Sequence, residues 1–220
     1  YFTGFSKETN RMEFLYIFEF VELFTESNGG LTTSLTNRFN RYGAAPNGAP
    51  AASWVTPGAA GYVDTDWQDQ VFRDDAGVNQ IDISASGGSD KTKFFASLSR
   101  NDQKGILVGN NLERVSSRVN LDHQATEKFS MGINFSLSRT INDRLSDDNA
   151  FSTPMQIVAL SPMTPVIDPR TGLTSGALDL NSGIPNGNFP IYYNPFLDVV
   201  YAQRQTQVFR NFGSVYGSYA

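Results

Sequence analysis

The stretch that decides the fold is residues 115–138, VSSRVNLDHQATEKFSMGINFSLS, which alternates apolar and polar side chains on either side of one short polar turn. Val115, Val119 and Leu121 share one face before the turn, and the odd-numbered residues from Phe129 to Leu137 share one face after it. Successive side chains of a strand point to opposite sides of the sheet. Each run approaches the roughly nine to eleven residues that a strand tilted across a bilayer needs, whereas soluble strands usually have about five or six. The stretch therefore predicts an antiparallel strand pair with one apolar and one polar face.

Composition narrows the possible functions. The 220 residues carry a net charge of −5 and no basic tract, which argues against a nucleic-acid surface. Cysteine is absent, and the single histidine, His123, falls in the predicted turn 123–127, so the usual thiolate and histidine metal sites are excluded and we expect neither a metal nor a cofactor. No run approaches the roughly 20 apolar residues of a spanning helix, so any insertion into a membrane would use a β-barrel.

The remaining chain is organised around a second strand pair and several loops. Residues 79–86 and 91–100 alternate in the same way as residues 115–122 and 129–138. Short turns at 87–90 and 123–127 alternate with longer connections at 101–113 and 142–206, an asymmetry typical of outer-membrane barrels with short periplasmic turns and long external loops. Gly87 and Gly88 precede a strand rather than a helix, so they read as turn residues and not as a phosphate-binding loop.

Two segments before the strand pairs have helical features. Residues 1–12 resemble the end of a strand, and residues 13–73 resemble a loop with short helices. Within it, residues 13–26 place Phe14, Ile17, Phe18, Val21 and Phe24 at helical spacing, which predicts a short amphipathic helix packed on the parent protein, with a partner or lipid surface as the alternative. A second helical turn is expected at 64–73, capped by Asp64 or Thr65, with Trp67 and Phe72 on one side.

The two ends of the chain have features of an internal segment. The chain begins at Tyr1 without an initiator methionine, and it ends at Ala220 inside an apparent strand covering 207–220. We therefore expect it to be an internal piece of a longer protein. Phe212 and Tyr216 fall on one face of the last strand while Phe209, Val215 and Tyr219 fall on the other, so the pattern leaves the orientation of this strand open.

These features predict an all-β fold that forms part of a large antiparallel transmembrane β-barrel. The apolar faces of the strands would meet lipid, and the faces rich in Ser, Asn, Gly, Asp and Arg would line a hydrated lumen. Arg114 and Arg118 are then expected to face the lumen, where they either pair with carboxylates of the protein or contact substrate. A soluble β-sandwich that binds a ligand remains the alternative fold.

Four segments carry a resemblance to a known family. DTDWQDQVFR at 64–73, SASGGSDKTKFFASLSRNDQKGIL at 84–107, RVNLDHQATEKFSMGINFSLS at 118–138 and SPMTPVIDPRTG at 161–172 resemble, in order and spacing, the early barrel of SusC/RagA-type TonB-linked outer-membrane transporters. The resemblance covers about half of the chain. The predicted helix at 13–26 departs from it, because it is more aromatic than the corresponding segment of the family.

The resemblance implies a function and partners. Members of the family are large barrels in the outer membrane of Gram-negative bacteria that import oligosaccharides or peptides, draw energy from the TonB complex and work with a SusD-like surface lipoprotein. It implies a multi-pass outer-membrane protein that is no enzyme, and we expect the plug domain and the TonB box to lie outside these residues. A structural or adhesive barrel without transport is the alternative function.

Candidate contact residues follow from the predicted external loops. Aromatic side chains there either stack on sugars and grip the partner lipoprotein, or anchor the packing of the loops; they are Trp54, Trp67, Tyr192, Tyr193 and Phe196. A cluster of aspartates between Asp64 and Asp75 lacks the spacing of a calcium loop, so it is interpreted as helix capping and solvation rather than as a catalytic or metal site. No catalytic residue is predicted.

Overall fold

The computed structural model describes residues 1–30, 56–59, 62–145, 153–168, 172–176, 178–179, 184–185, 194–202 and 204–220. It divides the chain into a sheet unit and a helical unit. The strands are β1 (Phe2–Ser6), β2 (Ala76–Gly88), β3 (Thr92–Lys104), β4 (Asn111–Gln124), β5 (Phe129–Asp143), β6 (Leu178–Asp179), β7 (Ile184–Pro185) and β8 (Gln205–Tyr219), and the helices are α1 (Ile17–Ser27), α2 (Trp67–Val71), α3 (Thr153–Ala159) and α4 (Phe196–Tyr201).

The sheet unit is one antiparallel sheet of six strands in the order β1-β2-β3-β4-β5-β8. The fold class predicted from the alternating pattern is therefore confirmed as a mostly antiparallel β structure with few short helices. The remaining two strands, β6 and β7, form a small separate ribbon.

The register gives the sheet two faces of opposite character. Val119 pairs with Ala96 on one side and Phe135 on the other, so the apolar positions of successive strands fall in continuous rows. We call this surface the apolar face, and the opposite surface, which contains Arg114, Arg118 and Asn134, the polar face. The large side chains of the apolar face are exposed, with Ile83 at 63%, Ile133 at 45% and Val215 at 79%. The described residues therefore leave a broad apolar surface without a second layer of protein over it.

The strands extend further than the apolar alternation indicated. β3 continues to Lys104 and β4 begins at Asn111, so the loop expected at 101–113 shrinks to residues 105–110. β5 likewise continues to Asp143. His123, expected in a turn, is the penultimate residue of β4, and its Nδ1 lies 2.8 Å from the hydroxyl of Thr92. The backbone pairing thus continues past the last apolar pair and includes charged residues such as Asp102 and Glu113.

The orientation of the last strand is settled by its pairing with β5. Val215 pairs with Ile133 and Tyr219 with Phe129, so both belong to the apolar face, whereas Phe212 and Tyr216 lie on the polar face. Gly132 makes this possible, because a Cβ at that position would lie 2.5 Å from the Tyr216 ring. The Tyr216 hydroxyl donates across the sheet to the carboxylate of Asp122.

The core of the helical unit forms around α1. Ile17 and Met163 are buried together, with Phe20, Val21, Phe24 and Tyr62 packed against them. The helix begins at Ile17 rather than near residue 13, and Phe18, expected on the buried face, is exposed. Its ring instead stacks on Tyr16, with centroids 6.4 Å apart.

Aspartate side chains cap both early helices. Asp66 is the N-cap of α2 and accepts hydrogen bonds from the backbone N–H groups of Gln68 and Asp69. Asp64, expected to cap this same helix, instead accepts from the N–H of Ile17 at 3.0 Å and so caps α1. Trp67, Gln68 and Val71 are the buried residues of α2, while Phe72 lies beyond the end of the helix. The aspartate cluster therefore caps helices that are far apart in sequence.

The described helices are all too short or too polar to cross a membrane.

Candidate functional site

The polar face is built from short side chains that bond to one another across the strands. The Asp82 carboxylate accepts from the Ser99 hydroxyl at 2.5 Å and from the Gln80 amide at 2.8 Å. The Asn101 amide donates to the Gln80 carbonyl oxygen at 3.3 Å. Small polar groups that satisfy one another leave a hydrated surface on which a polar ligand can exchange hydrogen bonds with side chains and water.

Arg114 and Arg118 both lie on the polar face, two positions either side of Ser116 in β4. Both side chains are exposed. Arg118 donates to the Asn120 side chain at 3.3 Å, whereas Arg114 has no hydrogen bond or ion pair with any described residue. The guanidinium group of Arg114 is therefore available to a group that this part of the chain does not supply.

A shallow depression of about 400 Å³ lies beside Arg114 on the polar face. Its lining includes Gln80, Ser99, Asn101 and Gln103. The side-chain oxygen of Asn101 is buried and accepts no hydrogen bond, although the backbone register places Asn101 directly opposite Arg114. The unpaired Oδ1 of Asn101 and the unpaired guanidinium group of Arg114 therefore both line this depression.

The charges at one end of the apolar face are arranged differently. Arg100 lies 3.0 Å from the Asp102 carboxylate and 3.5 Å from the Glu113 carboxylate. All three side chains belong to the apolar face, at the end of the sheet nearest the 105–110 loop. Arg100 is thus paired with two carboxylates, and this charged group marks where the apolar surface ends.

Arg73 organises the 105–110 loop, a role that the sequence pattern did not reveal. Its backbone N–H donates to the carbonyl of Ile106 at 2.8 Å, and its guanidinium donates to the carbonyl of Gly105 and the side chain of Asn111, both at 3.2 Å. Arg73 was expected in the helical turn at 64–73, and its contacts with a loop more than 30 residues away become visible only in the structure. The loop is thereby fixed to the start of the sheet.

The helical unit contains a second depression, of about 610 Å³, near the start of α1. Arg11 lies on its rim and pairs with Asp66 at 2.8 Å and with Asp69 at 2.5 Å. Asp64 also lines it and accepts a hydrogen bond from the Tyr62 hydroxyl at 2.9 Å. Burial raises the pKa of Tyr62, and the hydrogen bond and the negative charge of Asp64 raise it further. These carboxylates are already used for capping and ion pairing.

The structure describes two of the five predicted aromatic contact residues, Trp67 and Phe196. Trp67 is only 1% exposed, and its Nε1–H donates to the carbonyl of Ser161 at 3.2 Å. This burial favours the packing role over the stacking role for Trp67. Phe196 is half-buried at the start of α4. Trp54, Tyr192 and Tyr193 lie outside the described residues.

The carboxylates do not assemble a metal centre in the part of the chain that the structure describes: no group of three or more His, Asp or Glu side chains there is arranged to hold an ion. The candidate site is the polar face of the sheet, which presents hydrogen-bonding side chains to a ligand.

Two TonB-dependent receptors are similar in sequence to parts of this chain. TonB-dependent receptor P3 of Formosa agariphila is 33% identical over 86 residues, which cover 39% of this chain and 8% of the relative. The predicted resemblance to TonB-dependent receptors is confirmed. A second TonB-dependent receptor of that organism, P39, is 24% identical over 128 residues, or 56% of this chain and 12% of the relative. The match with either TonB-dependent receptor thus spans only a small part of its length.

Family models and solved structures were also compared with the chain. No family model matches the chain. Among solved structures, the RagAB peptide transporter superposes with a TM-score of 0.48 at 22% identity, covering 64% of this chain and 17% of that one. The RagAB peptide importer in its open-open state gives a TM-score of 0.47 at 25% identity, covering 66% and 17%.

Proposed function

We propose that this chain forms part of the wall of an outer-membrane importer, with the apolar face of its sheet toward lipid and the polar face toward a hydrated passage. The observation that carries the proposal is the exposed apolar face, which runs across the long strands from β2 to β8. Monomeric soluble proteins rarely expose large contiguous apolar patches, and lipid would cover this one as it covers the outside of a barrel.

Further support comes from the edges and ends of the sheet. The outer edge of β8, a strand of 15 residues, has no neighbour among the described strands, and barrels are the structures that abolish such edges. The turns at 89–91 and 125–128 lie at one end of the sheet, while the longer connections all leave from the other end. Outer-membrane barrels have this asymmetry.

The cargo that we propose is a nutrient oligosaccharide or peptide, which passes unchanged. A SusD-like surface lipoprotein would deliver it, and the TonB complex would supply energy. The likeness to TonB-dependent receptors supports this assignment, together with a polar face that offers hydrogen-bonding groups and no catalytic constellation. Arg114 and Arg118 would face the passage. Trp54, Tyr192, Tyr193 and Phe196 remain proposed contacts of the cargo or the lipoprotein.

Fractionation of cells that produce the full-length protein tests the proposal. We expect the protein in the outer membrane, released only by detergent and accompanied by a lipoprotein, and we expect cells lacking it to lose uptake of one oligosaccharide or peptide. A protein that stays folded in buffer without detergent would instead support a soluble β-sandwich. An outer-membrane protein whose loss changes no uptake would support a structural or adhesive barrel.

A further inference from the structure

Three arginines surround one small area of the polar face. Arg114 and Arg118 flank Ser116 in β4; Ser116 pairs with Ser138 in β5, and Ser138 pairs with Arg210 in β8. At about 3.3 Å per residue along a strand and about 4.8 Å between strands, the three arginine backbones stand about 12 to 13 Å apart. We call Arg114, Arg118 and Arg210 the arginine triangle.

The floor of the arginine triangle is made of hydroxyl groups. The register places Ser116 and Ser138 between the three arginines, and it pairs Ser136 with Arg118 and Thr140 with Arg114 on the same face of the sheet. All four are half-buried and short, so no large side chain of these strands fills the space above them. Hydroxyl groups can donate hydrogen bonds to an oxyanion that the arginines hold by charge.

The positive charge of the arginine triangle is not neutralised on the polar face. Arg114 and Arg210 have no hydrogen bond or ion pair with any described residue. The two carboxylates of this face, Asp82 and Asp122, accept hydrogen bonds from Ser99, Gln80 and Tyr216 instead. Arg100 on the apolar face, by contrast, has two carboxylate partners.

The charge balance of the polar face also differs from that of the whole chain. Four basic residues, Lys93 and the three arginines, stand there against two aspartates. The chain as a whole carries a net charge of −5. A local excess of positive charge on an acidic protein attracts anions to that surface.

We propose that the arginine triangle binds the cargo through carboxylate groups, so that the protein selects an anionic oligomer over a neutral one. Guanidinium groups bind such oxyanions with paired, charge-assisted hydrogen bonds. Phe212 stands next to Arg210 on the same face, 80% exposed, and offers a flat apolar surface beside the charges. This inference rests on the proposed import function and names the chemical class of its substrate.

Binding to the purified full-length protein in detergent tests the inference by calorimetry. The probes are two matched pairs, trigalacturonate with maltotriose and triaspartate with triasparagine, which separate an anionic saccharide from an anionic peptide. We expect one anionic probe to bind at least about tenfold more tightly than its neutral partner, given the strength of charge-assisted hydrogen bonds. Raising NaCl from about 0.05 to about 0.5 M should remove most of this preference, because salt screens exposed charges.

Variants locate the preference on the sheet. Arg114→Gln and Arg210→Gln should each weaken binding of the anionic probe about five- to tenfold and leave the neutral probe unchanged. Lys93→Gln is the matched control, because it removes the same charge from the same face but next to the 89–91 turn. Its affinity should stay close to that of the unaltered protein.

Three results would overturn the inference. The first is equal affinity, or none, for the charged and neutral members of both pairs. The second is an equal loss in Lys93→Gln and the arginine variants, which would indicate overall charge only. The third is a fall in the melting temperature of the arginine variants with unchanged binding, which would assign the arginines to internal ion pairs. The outer-membrane location tests the import function separately, so each can fail alone.

Discussion

Single buried residues hold the helical unit together, and Trp67 is the largest of them. Replacing it with alanine removes a side chain that is 1% exposed and the donor to the Ser161 carbonyl. We expect Trp67→Ala to lower the free energy of local unfolding by about 3 to 5 kcal/mol. Trp67→Phe should cost less, because a phenyl ring still fills much of the site, although part of the indole volume and the hydrogen bond are lost.

Hydrogen exchange of the α2 amides in the intact protein measures this local stability. Phe18→Ala is the control, because Phe18 is also a large aromatic residue but is exposed, and its loss should change exchange little. Equal exchange rates in Trp67→Ala and Phe18→Ala would show that Trp67 does not support the fold of this unit.

Tyr62 makes the stability of the helical unit depend on pH in alkaline solution. Its pKa is raised above the ordinary value of 10.0, first by burial and then by the hydrogen bond and charge of Asp64. Because the Tyr62 hydroxyl has a higher pKa in the folded state than in the unfolded state, it stabilises the fold at pH values below its unfolded-state pKa. This stabilisation is lost as the pH rises through the folded-state pKa. We expect α1 to become more open above pH 10.0, and to do so less steeply in Tyr62→Phe. Hydrogen exchange that is equally pH-dependent in both proteins would contradict this.

At the level of the strand, the two faces predict opposite responses to charge. In β5, Ile133 belongs to the apolar face and its neighbour Asn134 to the polar face. Ile133→Lys should destabilise the protein in lipid by about 2 to 4 kcal/mol, the cost of a lysine facing the middle of a bilayer. Asn134→Lys places the same group in water and should cost far less. Refolding into lipid vesicles measures both, and equal effects of the two variants would remove the basis for a lipid-facing surface.

The faces of the strands could be predicted from the sequence, whereas their ends could not. Alternation is a local property, so the two faces of β4 and β5 followed from their residues alone. The strand ends did not, because Arg100, Asp102 and Glu113 interrupt the apolar pattern while the backbone pairing continues. The orientation of β8 depended on Gly132, whose missing side chain makes room for Tyr216. That requirement is visible only once the pairing is known.

The sequence predicted only those residues of the candidate site that lie within one alternating strand. Arg114 and Arg118 could be assigned to one face because they lie within one alternating strand. Arg210 could not join them without the register of β8 against β5, which links residues more than 70 positions apart. Capping of α1 by Asp64 and burial of Trp67 likewise arise from contacts between distant segments. From side-chain chemistry alone, Asp64 was expected to cap the turn at 64–73, and Trp67 was a candidate for stacking on a ligand.

In the whole protein, the proposed import function requires lipid against the apolar face of the sheet and water against the polar face. These 220 residues contain no cysteine, so a single cysteine introduced among them is the one thiol of this segment that can carry a fluorescent label. Any cysteine elsewhere in the full-length protein is first replaced with serine. Suitable positions are Val119 and Ile133 on the apolar face and Asn120 and Asn134 on the polar face. The full-length protein is labelled at one of them and placed in vesicles whose lipids carry a nitroxide quencher.

Fluorescence quenching in these vesicles is the most direct test of the central claim. We expect strong quenching by lipid at residues 119 and 133, and quenching by aqueous iodide, with little by lipid, at residues 120 and 134. Iodide quenching at all four positions without lipid quenching would contradict it, because both faces of the sheet would then lie in water.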